Sequence, residues 1–101
     1  MQDENGTHDG ERRNGGLAPA DAVRAARELV EAMTGRSPET VSGLNRSGDG
    51  GWTVCLDVVE LSRVPASTDV LATYEVALDE RGDLNDLQRT RRYTRNQASE
   101  E

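Results

Sequence analysis

The chain has 101 residues, of which 34% are hydrophobic and 31% are charged, so it has room for one small domain rather than two. No apolar run approaches the ~20 residues that a membrane-spanning helix needs, which excludes an integral membrane protein of the helical kind. The 19 acidic and 12 basic residues give a formal net charge of −7, and all 12 basic residues are arginines.

Cysteine content and the first residues of the chain bear on cellular location. The one cysteine, Cys55, cannot form an internal disulfide. The N-terminal residues lack the basic segment and apolar stretch that mark a secretory signal. We therefore expect a cytoplasmic protein.

Both ends of the chain have the composition of disordered tails. Residues 1–16 are polar, acidic and rich in Gly and Asn, with no apolar residue after Met1. Such a segment buries too little surface to offset the entropy lost on ordering, and residues 96–101 have the same character. The sequence therefore predicts a single folded domain over residues 17–95, between two disordered tails.

The first predicted element is an amphipathic helix over Pro19–Thr34. Its apolar residues recur at helical spacing and form one stripe. Gly35 is typical of a left-handed C-cap, and Pro38 marks the stop. The predicted core-facing residues are Val23, Ala26, Val30 and Met33, widened by Ala22 and Leu29.

Four strands are predicted after the helix. Residues Thr40–Arg46 form a weak strand, Trp52–Leu61 and Val70–Leu78 alternate well, and 84–95 alternates less cleanly. Leu84 and Leu87 have opposite parity, which indicates a bulge or a late start of the last strand. Short turns between consecutive strands favour an antiparallel meander, so we predict an α+β fold with one helix packed on a sheet of three or four strands.

A single helix covers one face of such a sheet and leaves the other face open. The predicted open face carries Asp57, Thr73 and Glu75. It also carries part of an arginine strip, defined as Arg89, Arg91, Arg92 and Arg95, where the charge of the otherwise acidic domain reverses sign. Strict alternation places Arg89, Arg91, Tyr93 and Arg95 on one strand face and Arg92 on the other. The candidate partner-binding residues are Glu75, Arg89, Arg91, Arg92, Tyr93 and Arg95, while a solvated, charged edge strand is the simpler alternative.

Catalytic and metal-binding patterns are weak in this sequence. His8 is the sole histidine, it lies in the predicted tail, and no metal-ligand spacing accompanies it. Cys55 lies in mid-strand and has the context of a small buried residue rather than a nucleophile. Asp57, Glu60, Asp69 and Glu75 are better explained by cross-strand pairing with Arg63, Arg89, Arg91 or Arg92 than by acid–base catalysis. We predict a protein without enzymatic activity, cofactor or metal.

Several segments of the predicted folded region have sequences like those of a known protein family. They comprise residues 51–54, 57–61, 63–65, 69–76 and 91–95. With them the chain resembles the gas vesicle protein O family over about residues 20–95, and the most specific parts are 60–65 and 71–76. The acidic tail lies outside this resemblance.

The resemblance implies a non-enzymatic accessory protein of gas vesicles, the hollow protein shells that give prokaryotic cells buoyancy. It implies an assembly factor or minor component whose partners are other gas vesicle proteins, shell or accessory. The hypothesis that follows is that the open sheet face, with Glu75 and the arginine strip, docks such a partner.

Two other functions stay open at this level. A PepSY-like regulatory or inhibitory module shares the plan of a helix followed by a meander, although such modules are usually extracytoplasmic or membrane-attached. A nucleic-acid binder using Arg89–Arg95 with Tyr93 is the second alternative, but phosphate binding needs a broader positive field than this acidic domain offers.

Overall fold

The computed structural model describes residues 17–99, and the predicted tail at 1–16 lies outside the described residues, as do Glu100 and Glu101. In the described part, one helix packs on a four-stranded antiparallel sheet, which confirms the predicted α+β fold. The elements are α1 (Pro19–Thr34), β1 (Thr40–Arg46), β2 (Trp52–Leu61), a 3-10 turn (Ala66–Thr68), β3 (Val70–Leu78), β4 (Leu84–Thr94) and α2 (Arg95–Ser99). Neither helix is long and apolar enough to cross a membrane.

Helix α1 begins and ends where local chemistry predicts. Pro19 occupies the first turn, where a missing backbone N–H costs nothing, and Asp21 lies near the positive end of the helix dipole. Gly35 ends the helix with φ +76°, and its N–H donates to the carbonyl of Glu31 at 2.8 Å. Leu17 precedes the helix, and its carbonyl accepts a hydrogen bond from Trp52 Nε1 at 2.9 Å, which ties the helix entry to the sheet.

The sheet is a meander with the strand order β1-β2-β3-β4. Strand β2 pairs with β3 in a register that sets Trp52 opposite Leu78 and Val54 opposite Val76. These side chains face α1, as the alternation predicts. The core consists of Ala22, Ala26 and Val30 of α1, Trp52, Val54, Leu56 and Val58 of β2, and Val76 and Leu78 of β3.

Met33 departs from the predicted core stripe. Its side chain is 60% exposed, whereas Ala26 and Val30 on the same helix are fully buried. The last turn of α1 borders a groove at the end of the sheet, so Met33 lines that groove instead of packing on a strand. Helical periodicity alone cannot reveal this, because it does not show where the sheet beneath the helix ends.

The last strand contains two irregularities and ends at Thr94, one residue earlier than predicted. One lies opposite Ala77 and Leu78, and it returns Leu84 and Leu87 to the same face, which confirms the bulge expected from their parity. After Thr94 the chain turns into the short helix α2, at a position where the composition predicts that the C-terminal tail begins. Contacts of Arg95 with distant carboxylates hold the start of this helix.

Candidate protein-binding surfaces

A bulge in β4 splits the arginine strip between the two faces of the sheet. Thr73 is paired with Arg91, but its neighbour Tyr74 is paired with Arg89, so Thr90 is an extra residue in β4. Arg89 and Arg92 therefore lie on the side of α1, while Arg91 and Tyr93 lie on the open side. Strict alternation was wrong in grouping Arg89 with Arg91, because it cannot anticipate one inserted residue.

On the helix side, Glu60 is the centre of a hydrogen-bonded cluster. Its carboxylate accepts the Tyr74 hydroxyl at 3.0 Å, lies 3.1 Å from Arg89 Nη1 and lies 3.2 Å from Arg92 Nε. Burial acts to raise the pKa of Glu60, but the hydrogen bonds from Tyr74 and Arg89 and the charges of Arg89 and Arg92 outweigh it and lower the pKa. Glu60 is thus held as a carboxylate that orients two arginines, and it lacks the raised pKa of a general acid.

A groove of about 450 Å³ lies next to this cluster, between the C-terminal turn of α1 and the end of the sheet. We call it the α1 groove. Glu60 and Arg92 form part of its wall, and the exposed side chain of Arg36 lies at its rim. The apolar lining consists of Met33, Val58, Leu61 and the ring of Tyr74, with Thr34 at the helix end.

The open face is organised around Asp57. Its Oδ1 accepts the Thr73 hydroxyl at 2.6 Å, and its Oδ2 accepts the Thr40 hydroxyl at 3.3 Å. Tyr93 is half-buried beside it. Burial, followed by the charge of Asp57 and a hydrogen bond to it, raises the pKa of Tyr93. The guanidinium of Arg91 stacks 4.3 Å from the centre of the Tyr93 ring. The open face therefore combines polar groups that are already hydrogen-bonded with an arginine–tyrosine pair at one edge.

One end of the open face is closed. Leu71 points away from α1, opposite Tyr93, yet its side chain is only 4% exposed. The 3-10 turn and α2, which contact each other, lie next to this end of β3. The surface available to a partner is thus the rest of the face, around Glu75 and Arg91, with the half-buried Tyr93 at the boundary of the closed end.

Cys55 and Glu75 are cross-strand neighbours on the open face. Burial, with further contributions from the charges of Glu75 and Asp57, raises the pKa of the Cys55 thiol. Because the thiolate is the nucleophilic form, this environment disfavours reactivity. Cys55 is half-buried rather than fully buried as predicted, because it lies on the face of the sheet that α1 does not cover.

Arg95 links three distant parts of the chain. Its Nη1 lies 2.8 Å from Glu39, before β1, and its Nη2 lies 3.0 Å from Asp69, before β3. Asp69 also accepts the backbone N–H of Arg63 at 2.8 Å. That hydrogen bond, followed by the one from Arg95, lowers the pKa of Asp69, and the hydrogen bond from Arg95 lowers the pKa of Glu39.

Sequence reasoning missed Glu39, whereas it named Glu60 among the acids that pair with arginines but could not say with which ones. Glu39 and Arg95 are 56 residues apart, and Glu60 and Arg89 are 29 apart. Their pairing depends on strand register and on the bulge at Thr90, so no local signal marks it. Four of the candidate partner-binding residues thereby divide into the α1-side pair Arg89 and Arg92 and the open-face pair Arg91 and Tyr93.

Comparison with known families assigns the chain to one of them. The family model described as "Gas vesicle synthesis protein GvpO" matches residues 5–99. The chain belongs to the GvpO family. The match extends beyond the resemblance at residues 20–95 in both directions, and it includes most of the segment predicted to be a tail.

Relatives in the GvpO family come from bacteria and archaea. "Gas vesicle protein O" of Streptomyces sp. (strain CB03234) is 41% identical over 81 residues, which cover 80% of this chain and 62% of the relative. "Gas vesicle protein O1" of Halobacterium salinarum is 38% identical over 55 residues, covering 54% of this chain and 46% of the relative.

A third relative, "Gas vesicle protein O" of Haloferax mediterranei, is 28% identical over 82 residues, covering 81% of this chain and 59% of the relative. The chain thus spans less than two thirds of the length of each of these three GvpO proteins. No solved structure matches the chain significantly.

Proposed function

We propose that this chain is a non-enzymatic accessory protein of gas vesicles, which supports vesicle formation by binding other gas vesicle proteins in the cytoplasm. The observation that carries the proposal is the GvpO family match over residues 5–99, together with relatives that are named gas vesicle proteins. Gas vesicle formation requires shell subunits to be brought together, a task for which an adaptor needs contact surfaces rather than an active site.

The open face supports this proposal as one such contact surface. Arg91 is exposed, Tyr93 and Glu75 are half-buried, and the three lie on the side of the sheet that α1 does not cover. Arginine and tyrosine are favoured anchors in protein interfaces, since each combines apolar area with hydrogen-bonding groups. The proposed occupant of this face is another gas vesicle protein.

The ion pairs also favour protein contacts over nucleic-acid binding. Arg89 and Arg92 share Glu60, and Arg95 contacts both Glu39 and Asp69. Carboxylates next to these arginines weaken the positive field that phosphate binding requires. The PepSY-like alternative shares the helix-and-meander plan, so the fold does not separate the two functions, whereas the GvpO family match favours the vesicle role.

Gene replacement tests the function. In a vesicle-forming host whose own GvpO relative has been deleted, we expect few or no gas vesicles by electron microscopy, and restoration when this chain is expressed. Vesicle numbers that stay normal in the deletion strain would contradict a role in formation.

The same strain tests the non-enzymatic part of the proposal. If a folded Cys55→Ser variant did not restore vesicles, that result would indicate thiol chemistry instead.

A co-purification experiment tests the open face. Alanine substitution of Arg91 and Tyr93 together should reduce recovery of gas vesicle proteins with the tagged chain by about tenfold or more, as loss of an interface anchor of about 1.4 kcal/mol or more does. The matched control is Arg24→Ala, because Arg24 is an exposed arginine of α1 on the opposite side of the domain from this face. Equal recovery with both variants would remove the open face from the proposal.

A further inference from the structure

The α1 groove combines exposed apolar side chains with an excess of positive charge. Met33 is 60% exposed and Leu61 is 43% exposed, and both line the groove. Exposed apolar side chains that line one concave site are typical of a binding surface. Methionine suits such a site because its unbranched chain adapts to the shape of a ligand.

The side chains in and next to the groove carry more positive than negative charge. Arg36, Arg92 and the carboxylate of Glu60 line the groove, and Arg89 pairs with Glu60 from outside the lining. Three arginines thus lie in or next to a groove with one carboxylate, in a chain whose net charge is −7. Glu31, in the last turn of α1, accepts a hydrogen bond from Ser37 at 2.6 Å and is not among the groove-lining residues. Positive charge over an apolar floor is complementary to an apolar side chain flanked by carboxylates.

We propose that the α1 groove binds an acidic amphipathic segment of a protein partner, with an apolar side chain of the partner inserted between Met33 and Leu61 and its carboxylates on Arg36 and Arg92. The identification of that partner as a gas vesicle protein rests on the proposed function. The groove lies on the helix side of the sheet, away from the open face, so the domain has two separate contact surfaces and can join two partners.

Binding of a synthetic peptide tests this proposal on the full purified chain. The probe is a fluorescein-labelled helical peptide of about 14 residues, with Leu at positions i, i+3 and i+7 and Glu on the flanking positions. The matched probe keeps the Leu residues and replaces every Glu with Lys. Fluorescence anisotropy should show binding of the acidic peptide that is about tenfold tighter than that of the basic peptide and that weakens with added salt.

Single substitutions locate the binding site. Met33→Glu and Arg36→Glu should each weaken binding of the acidic peptide by about tenfold, because the first removes apolar contact and both add repulsion. Both side chains are exposed, so unchanged thermal unfolding is expected and serves as the folding check. The controls are Arg24→Glu, a charge change of the same size on the outer side of α1, and Val64→Glu at a side chain that is 98% exposed outside the groove.

Three outcomes would overturn the proposal: no binding of the acidic peptide, equal binding of the two peptides, or wild-type affinity of the folded Met33→Glu and Arg36→Glu variants. Failure of this groove proposal and failure of the proposed vesicle function give different experimental results. Peptide binding uses the purified chain alone, whereas the vesicle role is tested by the deletion strain. A chain that restores vesicles but does not bind the peptide would retain its function and lose this groove as a binding site.

Discussion

Gly51 illustrates how a single residue constrains the sheet. It lies just before β2, and a Cβ added there would overlap the backbone carbonyl of Leu78 in the neighbouring strand. Gly35, by contrast, has open space around its Cα, but its φ of +76° is costly for any residue with a side chain. The two glycines are therefore required for different reasons, one for space and the other for backbone conformation.

This difference predicts unequal effects of alanine at the two positions. Gly35→Ala should lower the free energy of unfolding by about 1 kcal/mol, the cost of a left-handed alanine. Gly51→Ala should cost more, about 2–3 kcal/mol, because a backbone segment of β3 has to move. Urea unfolding followed by circular dichroism measures both, and equal stability of the two variants would contradict the steric argument.

At the scale of elements, the segment between β2 and β3 is held by one carboxylate. Asp69 accepts the N–H of Arg63 through Oδ1 and pairs with Arg95 through Oδ2, so it joins the connecting segment to the start of α2. The N–H of Arg95 also donates to the carbonyl of Asp69 at 2.9 Å. The end of the sheet is thus stabilised by contacts between segments that are far apart in the chain.

Two substitutions of Asp69 separate its interactions. Asp69→Asn retains an acceptor for the Arg63 N–H but loses the charge that pairs with Arg95, whereas Asp69→Ala loses both. We expect amide hydrogen exchange in residues 62–69 and 95–97 to accelerate in both variants, by about tenfold or more in Asp69→Ala and by less in Asp69→Asn. Glu28→Ala, at an exposed carboxylate of α1, is the control and should leave these rates unchanged.

The bulge at Thr90 is the element that decides which arginines act together. It places Arg89 and Arg92 on the side of α1, where both pair with Glu60, and it places Arg91 next to Tyr93 on the open face. One extra residue thereby converts a contiguous basic segment into two surfaces with different surroundings. Each surface can be altered separately, which is why the tests of the open face and of the groove use different variants.

At the scale of the whole molecule, several carboxylates make the fold sensitive to acid. Hydrogen bonds and ion pairs lower the pKa values of Glu39, Glu60, Asp69 and Asp79 in the folded state. The unfolded chain then binds protons more readily than the folded one. The stability that these groups contribute is fully present when the pH is above their ordinary pKa values, 4.5 for Glu and 3.8 for Asp. It is lost as the pH falls through the lower pKa values of the folded state.

We therefore expect the free energy of unfolding to be nearly constant from neutral pH down to about 5 and to fall progressively below the ordinary carboxylate pKa values. Urea unfolding curves at a series of pH values, followed by the fluorescence of the sole tryptophan, Trp52, measure this dependence. Glu60→Gln should make the decline shallower because it removes one of the titrating groups. Stability that rises on acidification would contradict the pKa directions.

Local patterns predicted most of the fold. The bounds of α1 and of the first three strands agree with the structure because capping, alternation and turn residues act over a few neighbouring positions. The inward direction of Trp52, Val54, Leu56 and Val58 follows from the same alternation. The candidate site was harder to predict from the sequence, because it depends on non-local contacts. These contacts decide which face of the sheet carries Arg89 and Arg92, how exposed Met33 is, and which arginines pair with Glu39 and Glu60.

The amino-acid sequence by itself determined the helix, the strands, the apolar face of the sheet and the resemblance to a gas vesicle family, because each is encoded in residue order over short spans. Only the tertiary structure decided how the charged residues are distributed. Cross-strand register and one bulge bring together side chains that lie tens of residues apart, and only their meeting produces the α1 groove, the Arg95 contacts and the arginine–tyrosine pair of the open face.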